Sequence, residues 1–313
     1  MKQKTWFLIL LVVSVGCISA QNIGSSPEYI KALTAEWKGE RFEDGRPKVS
    51  DDMLERLKAL TLEEVWAELI ELGYHNQFEG DWKLLKDDKS ACMTGRAVTA
   101  QFMPMRPDFE NFVINQGRNE GRAWEQKRTV SWAISTLVEG DVYVADAYLK
   151  PYLGTVVGSN LGRGVYERTK RGGIFYGNVR DAEDLRSIEG LNIWVKGIDP
   201  SYMRQTMLTS INAPIRMGKA TVLPGDVVLA KHDGVLFIPP HVLEHVVLTG
   251  EVTALFDVFG QEKIIEGKYS AGAIDSVWTD EIKKDFRQWA KKNQNKLPMS
   301  LQQLDTYLEK RNF

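Results

Sequence analysis

The chain has 313 residues but only two cysteines and four histidines. Cys17 falls in an apolar N-terminal run, which leaves Cys92 alone in the remainder, so no disulfide can form there. Cys92 lies in the strand-like CMTGRAVTAQF and reads as a small buried hydrophobe. No Ser/His/Asp arrangement emerges from the spacing of His75, His232, His241 and His245. An excess of either charge is also missing. Lys and Arg number 40 against 42 Asp and Glu, a formal net charge of -2, which gives no electrostatic reason to expect nucleic acid as a partner. The apolar fraction of 43% and charged fraction of 26% are those of an ordinary globular protein.

The first twenty residues are less ordinary. Lys2 and Lys4 give a basic start, Trp6 to Val15 an apolar core and Ile18-Ser19-Ala20 a small-residue exit. This is the pattern of a secretory signal, too short to span a membrane. Cleavage after Ala20 would leave Gln21 first, with no membrane span remaining, and would place the protein in the periplasm or outside the cell. The alternative is lipidation at Cys17. Ser14-Val15-Gly16-Cys17 makes a poor lipobox, because a branched apolar residue is expected where Ser14 stands, and a single-chain anchor would hold only weakly.

Beyond the leader, residues 21–50 read as an arm: a short helix, PEYIKALTAEW, and a polar connector. Ser50 can cap DDMLERLKAL, and Thr61 with Glu64 forms a capping box opening LEEVWAELIELG, closed by Gly73. Strands and turns begin near Ala91. CMTGRAVTAQFMP reads as a strand ended by Pro104 to Pro107, and NEGRAWEQKRTVSWAISTL as a helical patch. Gly140-Asp141-Val142 and Gly225-Asp226-Val227 open two similar β-branched runs, which suggests related strands in one mixed sheet with helices between them. INAPIRMGKATVLPGD is strand-like, and HVLEHVV a helix with proline in its first turn. From about Phe256, DVFGQEKIIEGKYSAGAI looks irregular. DEIKKDFRQWAKKN is an amphipathic helix with Ile282, Phe286 and Trp289 on one face, and LQQLDTYLEK a last helix. Both are expected to pack on their own domain or a sister subunit.

The stretch from Gly154 to Asp181, GTVVGSNLGRGVYERTKRGGIFYGNVRD, carries the chemistry. A Gly-rich turn with Ser159 and Asn160 leads into a helix from about Leu161 to Lys170. Ser and Asn are good N-caps, and a helix N-terminus reached through glycines offers free N–H groups to an anion. Arg180 supplies a planar cationic fork for a carboxylate, and Asp181 a hard oxygen ligand for Mg²⁺ or Mn²⁺. Together they suggest a pocket for a small metal-chelating acid. A rival motif is His241-Val242-Leu243-Glu244-His245, the H-x-x-E-H pattern of inverted zincins, with Glu309 as a candidate distant ligand. Its bland reading is the solvent-facing side of a short helix.

TGRAVTAQF, EGDVYVADA, GSNLGRGVYERTKRGGIFYGNVRD, NAPIRMGKATVLPGDVVLAKHDGVLFIP and PPHVLEHVV, in that order, resemble the RraA-like family. That family holds regulators of ribonuclease activity and divalent-metal-dependent 4-hydroxy-4-methyl-2-oxoglutarate aldolases. The resemblance runs from about Asp51 to Val258 and implies an α/β fold, an αββαβ sandwich with a helical N-terminal arm and a C-terminal helical extension over 259–313. It implies a homotrimer or hexamer with sites between subunits. It further implies that the Gly158, Ser159, Asn160 and Leu161 loop and Arg180 hold a pyruvyl carboxylate while Asp181 ligates Mg²⁺ or Mn²⁺. The expected activity is an aldolase- or decarboxylase-type lyase on a small 2-oxo acid or sugar-derived acid; the alternative is a non-catalytic small-anion-binding protein. The aldolase pattern has Asp, twenty residues, then Arg-Asp, and its first Asp is here Ser159. Ribonuclease regulation is a cytoplasmic task that the leader argues against.

Overall fold

The computed structural model describes residues 22–122, 129–311 and 313. The expected leader therefore lies outside the described residues, as do residues 123–128 of the helical patch.

The N-terminal arm carries α1 (Pro27–Leu33), capped by Ser26 and four residues shorter than its sequence pattern. α2 (Asp51–Lys58) and α3 (Leu62–Glu71) form as their caps predict: the Ser50 hydroxyl accepts from Met53 N–H, and the Thr61/Glu64 capping box is complete. Two short strands follow, β1 (Phe78–Glu79) and β2 (Lys83–Leu84), then the long β3 (Met93–Pro104). Pro107 opens a helix, α4 (Pro107–Asn119), where only a strand end was expected. The expected helix at 119–137 is represented among the described residues by α5 (Val130–Ser135) alone. Beyond these lie β4 (Asp141–Asp146), α6 (Ser159–Thr169), β5 (Gly172–Val179), α7 (Ala182–Ser187), β6 (Asn192–Ile198) and β7 (Thr206–Ile211). The strand-like run from Ile211 onward is instead a tight hairpin, β8 (Ile215–Met217) and β9 (Ala220–Val222), because Gly218 takes φ 64° between them. β10 (Val227–Lys231) and β11 (Gly234–Ile238) complete the strands.

Among the described residues the strands form one mixed nine-stranded sheet in the order β1-β11-β10-β3-β4-β5-β6-β2, with β7 pairing the far end of β3. β3, β4, β5 and β6 run parallel to one another. The period-2 alternation of β4 sends Val142 and Val144 to one face and Tyr143 and Ala145 to the other. On the Tyr143 face α5, α6 and α7 cover the sheet; on the other lies the β8–β9 hairpin. α2 and α3 cover Val227, Leu229, Leu236 and Ile238 of the β10–β11 hairpin.

The segment read as irregular after Phe256 is corrected in its first half: α8 (Leu243–Ile265) runs unbroken into it as far as Ile265. It was illegible because no single apolar stripe serves its whole length. Val246 and Val247 pack toward α2 and α3, whereas Val252, Leu255 and Phe259 face the C-terminal cluster. A short turn of helix, α9 (Ala271–Ile274), leads to α10 (Asp280–Lys292) and α11 (Leu301–Lys310). Their Ile282, Phe286, Trp289, Leu304 and Leu308 pack on α8 of the same chain.

The repeat noticed in the sequence is a repeated turn. In Val138–Asp141 and in Leu223–Asp226 the aspartate carboxylate accepts from the N–H three residues earlier, and its own N–H returns to that residue's carbonyl. Gly140 and Gly225 supply the positive φ each turn requires, 82° and 87°. The strands they launch, β4 and β10, flank β3 on either side.

Candidate functional site

The parallel strands deliver two loops to their carboxyl ends, the customary place for a ligand in an open α/β sheet. The loop after β4 runs through residues 147–158 into the N-terminus of α6. The loop after β5 is only Arg180-Asp181 before α7 begins. The two are stitched together: Arg180 N–H donates to Val157 O at 3.0 Å, and Ser159 N–H donates to Asp181 Oδ2 at 3.1 Å. Arg180 Nη1 lies 3.3 Å from Asp181 Oδ1 and 3.2 Å from Oδ2. Gly158, Ser159, Arg180 and Asp181 thus converge, as the sequence led us to expect.

Why glycine precedes the helix is steric. A Cβ on Gly158 would stand 2.5 Å from Asp181 Oδ2 and 2.9 Å from Arg180 Nε. Gly162 is needed one turn later, where a Cβ would meet Leu185 Cδ2 at 2.1 Å and push α6 off α7.

The capping expectation needs correction. Gly158, not Ser159 or Asn160, is the N-cap, and no side chain caps α6. Of the first N–H groups of the helix, that of Ser159 goes to Asp181. Those of Asn160 and Leu161 have no protein acceptor among the described residues. Asn160 is exposed, while Leu161 is half-buried against the core. The two unclaimed N–H groups face the end of the helix, where its dipole favours negative charge.

Two features were not legible in the sequence. Asp181 occupies the left-handed region, φ 55° and ψ 44°. Tyr148, Leu149 and Leu153, on the loop after β4, do so as well, with φ of 43°, 57° and 55°. Non-glycine residues there are uncommon, and strained backbone of this kind collects at functional sites. Arg180 and Asp181 remain accessible, 39% and 29% exposed at their side chains.

The rival histidine motif is not assembled. His241 lies in a 3-10 turn and its Nε2 is 2.9 Å from Tyr74 Oη. His245 is in α8 with its Nε2 2.6 Å from Glu68 Oε1, a carboxylate that also receives Arg311. Among the described residues no three His, Cys, Asp or Glu side chains, Glu244 and Glu309 included, are grouped to hold a metal. Pairing with Tyr74 and Glu68 from α3 and its exit loop is what these histidines do instead.

Residues 47–237 match the family described as RraA-like: Aldolase/RraA. The chain belongs to the RraA-like family. It is 25% identical to RraAS2 of Streptomyces coelicolor, an unusual member of the RNase ES inhibitor RraA family, over 72% of this chain and 99% of that one, with a TM-score of 0.56. The fold also resembles that of an uncharacterised protein from Pseudomonas syringae, at 17% identity, TM-score 0.57, and coverage of 74% and 95%. A putative 4-hydroxy-4-methyl-2-oxoglutarate aldolase of Thermus thermophilus is 31% identical over 84 residues, 27% of this chain and 51% of that protein. The match thus spans about half the length of that curated relative.

For this RraA-like chain a divalent cation is the cofactor to test against the residues present. The donor set at the site is one accessible carboxylate, Asp181, fixed by a backbone N–H and a guanidinium. Mg²⁺ is commonly bound through one or two carboxylates while keeping several waters, so Asp181 fits such an ion, and Ser159 beside it brings a hydroxyl and no charge. No described helix is long and apolar enough to cross a membrane.

Proposed function

We propose that this RraA-like protein is a divalent-metal-dependent lyase of the aldolase or decarboxylase type, acting on a small 2-oxo acid or sugar-derived acid. The observation that carries the reading is the convergence of α6's unclaimed N–H groups, the Arg180 fork and the Asp181 carboxylate at the carboxyl end of the parallel strands. The relative's name, 4-hydroxy-4-methyl-2-oxoglutarate aldolase, supports the reaction class.

Arg180 binds and orients the substrate carboxylate, and the N–H groups of Asn160 and Leu161 share its charge. Asp181, held by Ser159 N–H, would hold Mg²⁺ or Mn²⁺, whose chemistry is to polarise the adjoining carbonyl as a Lewis acid. As the carbon–carbon bond breaks, negative charge builds on the pyruvyl fragment, where Arg180 and the helix N-terminus already point positive charge. Incubating the purified protein with a panel of 4-hydroxy-2-oxo acids and Mg²⁺, and following pyruvate, tests this. Pyruvate release that stops with EDTA is the expected result; no release from any member refutes the lyase.

Ser159 favours a second reading, a non-catalytic binder of small anions, because it removes the carboxylate that the aldolase pattern places beside Asp181. Oxalate binding without turnover would select it. We further propose that the protein works outside the cytoplasm as a homotrimer or hexamer. Exposed apolar side chains beside the site, Leu149, Tyr152, Ile198 and Tyr202, support the assembly. Light scattering that gave a monomer at micromolar concentration would refute it, and N-terminal sequencing that returned Met1 from a cytoplasmic pool would refute export.

A further inference from the structure

The two repeated turns pose a contrast. Asp141 and Asp226 occupy equivalent positions, each buried, each accepting one N–H from its own turn. Asp141 is neutralised: Arg46 reaches it with both terminal nitrogens, at 3.0 and 3.1 Å, and Arg96 stands 3.8 Å away. Asp226 has no such partner among the described residues. It is 2% exposed, and among the described residues the one hydrogen bond its carboxylate accepts is 2.7 Å, from Leu223 N–H to Oδ2. Burial without a cation raises its carboxyl to about 8. A buried carboxylate ordinarily needs a partner.

Asp226 is on the wall of a cavity of about 270 Å³ between the N-terminal arm and the β-hairpin core, remote in sequence from the Arg180 site. Trp37, Tyr74 and His241 contribute three rings, and Glu36 a second acid; no described lysine or arginine lines it, and the nearby Arg41 guanidinium donates to the Thr34 hydroxyl and to the Thr34, Trp37 and Gly45 carbonyls. Trp37 and Glu36 come from the arm, upstream of the segment that matches the family. With no described cation on its lining, the cavity offers an anion such as a 2-oxo acid nothing to pair with. It suits a compact organic cation, which aromatic faces attract and a desolvated carboxylate neutralises.

We infer that the cavity between the arm and the core is a second binding site, for a small ammonium-bearing molecule held by Trp37, Tyr74 and Asp226. In it the ligand's charge does for Asp226 what Arg46 does for Asp141. His241, fixed by its bond to Tyr74, is a wall of this site and not a zinc ligand.

The test is calorimetric titration of the intact protein with choline and with its neutral isostere, 3,3-dimethylbutan-1-ol. Choline is expected to bind at least tenfold more tightly. Asp226→Asn should weaken choline at least tenfold and Trp37→Ala at least fivefold, both leaving oxalate binding at the Arg180 site unchanged. The charge of choline does not depend on pH, so its affinity should rise between pH 7 and 9 as Asp226 ionises. The other titratable groups lining the cavity are Glu36, Tyr74 and His241, and His241→Gln and Glu36→Gln should keep that rise. Equal affinity for the neutral isostere, no choline binding at 10 mM probe (about the weakest affinity of interest), or choline binding indifferent to both Asp226→Asn and Trp37→Ala would overturn the inference. If Asp226→Asn fails to fold, Trp37→Ala and the isostere comparison decide it.

Discussion

Gly158→Ala is the most discriminating single change at the Arg180–Asp181 site. The added methyl would stand 2.5 Å from Asp181 Oδ2, 2.9 Å from Arg180 Nε and 3.1 Å from Arg180 Cγ. All three are side-chain atoms, so the chain relieves the clash by rotating Asp181 and Arg180 rather than by moving α6. Gly158 itself is at φ -128°, which alanine adopts freely, so the backbone adds no strain and the melt should fall only by what the displaced side chains lose. The site changes more. Rotation of Asp181 breaks its bond from Ser159 N–H, a hydrogen bond to a charged group and thus worth about 1.5–3 kcal/mol. The Arg180–Asp181 pair is partly exposed and adds at most about 1 kcal/mol after screening. At about 1.4 kcal/mol per tenfold, binding of oxalate with Mg²⁺ should weaken roughly ten- to a hundredfold. Calorimetric titration beside a thermal melt separates the two effects. Wild-type oxalate affinity in a folded Gly158→Ala protein would show that the positions of Asp181 and Arg180 do not matter to the ligand.

Arg180→Ala should weaken oxalate about a hundredfold or more, since removing a hydrogen-bonded charge partner costs about 2–5 kcal/mol, and Asp181→Ala should abolish the metal-dependent part while the protein stays folded, its melt lowered by the lost Ser159 N–H bond and the left-handed backbone at residue 181; titration with and without EDTA reads both. Ser159→Asp should tighten Mg²⁺ and raise pyruvate formation about 10–100-fold, and no change in either would remove Ser159 from the metal's surroundings. Arg46→Ala should destabilise the fold by about 3 kcal/mol, the low end for a broken buried pair because Arg96 still faces Asp141; urea unfolding with an unchanged midpoint would refute it. Asp226 binds a proton up to about pH 8 when folded, whereas the unfolded chain releases it near 3.9. Between these values the folded state holds the extra proton, so this group makes stability fall by about 1.4 kcal/mol per pH unit as pH rises, and Asp226→Asn should flatten the unfolding profile from pH 5 to 8.

The helices that were legible in the sequence are those that announce their own ends. Ser50, Thr61, Thr279 and Ser300 each cap a helix through their hydroxyl, and that chemistry is local. α8, legible only over its first turns at HVLEHVV, has no side-chain cap and changes its packing partner midway, so no single period marks its continuation to Ile265. The hairpin at Gly218 was hidden because a β-branched run reads alike whether it continues or doubles back. At the site, residue types and loops were legible, since Gly, Arg and Asp each carry a chemical meaning at that spacing. The geometry that unites them was not. Asp181 takes a left-handed backbone and receives Ser159 N–H across 22 residues, and nothing in either residue's immediate neighbours encodes it.

That backbone bond bears on what Ser159 does to function. The contribution of position 159 to holding Asp181 comes from its N–H, which any residue but proline supplies. Replacing the pattern's Asp by Ser therefore leaves Asp181 in place and removes one negative charge from the mouth of α6. The side chains that remain, Arg180 against Asp181, cancel, and the helix end adds positive potential. The balance shifts toward anion binding and away from cation binding. Carboxylate affinity should thus survive removal of the metal to a greater degree here than in a chain with Asp at this position, while the Lewis-acid step should demand a higher Mg²⁺ concentration. The lyase and binder readings are therefore two ends of one axis set by the charge at residue 159, and oxalate affinity measured across a Mg²⁺ series locates this protein along it.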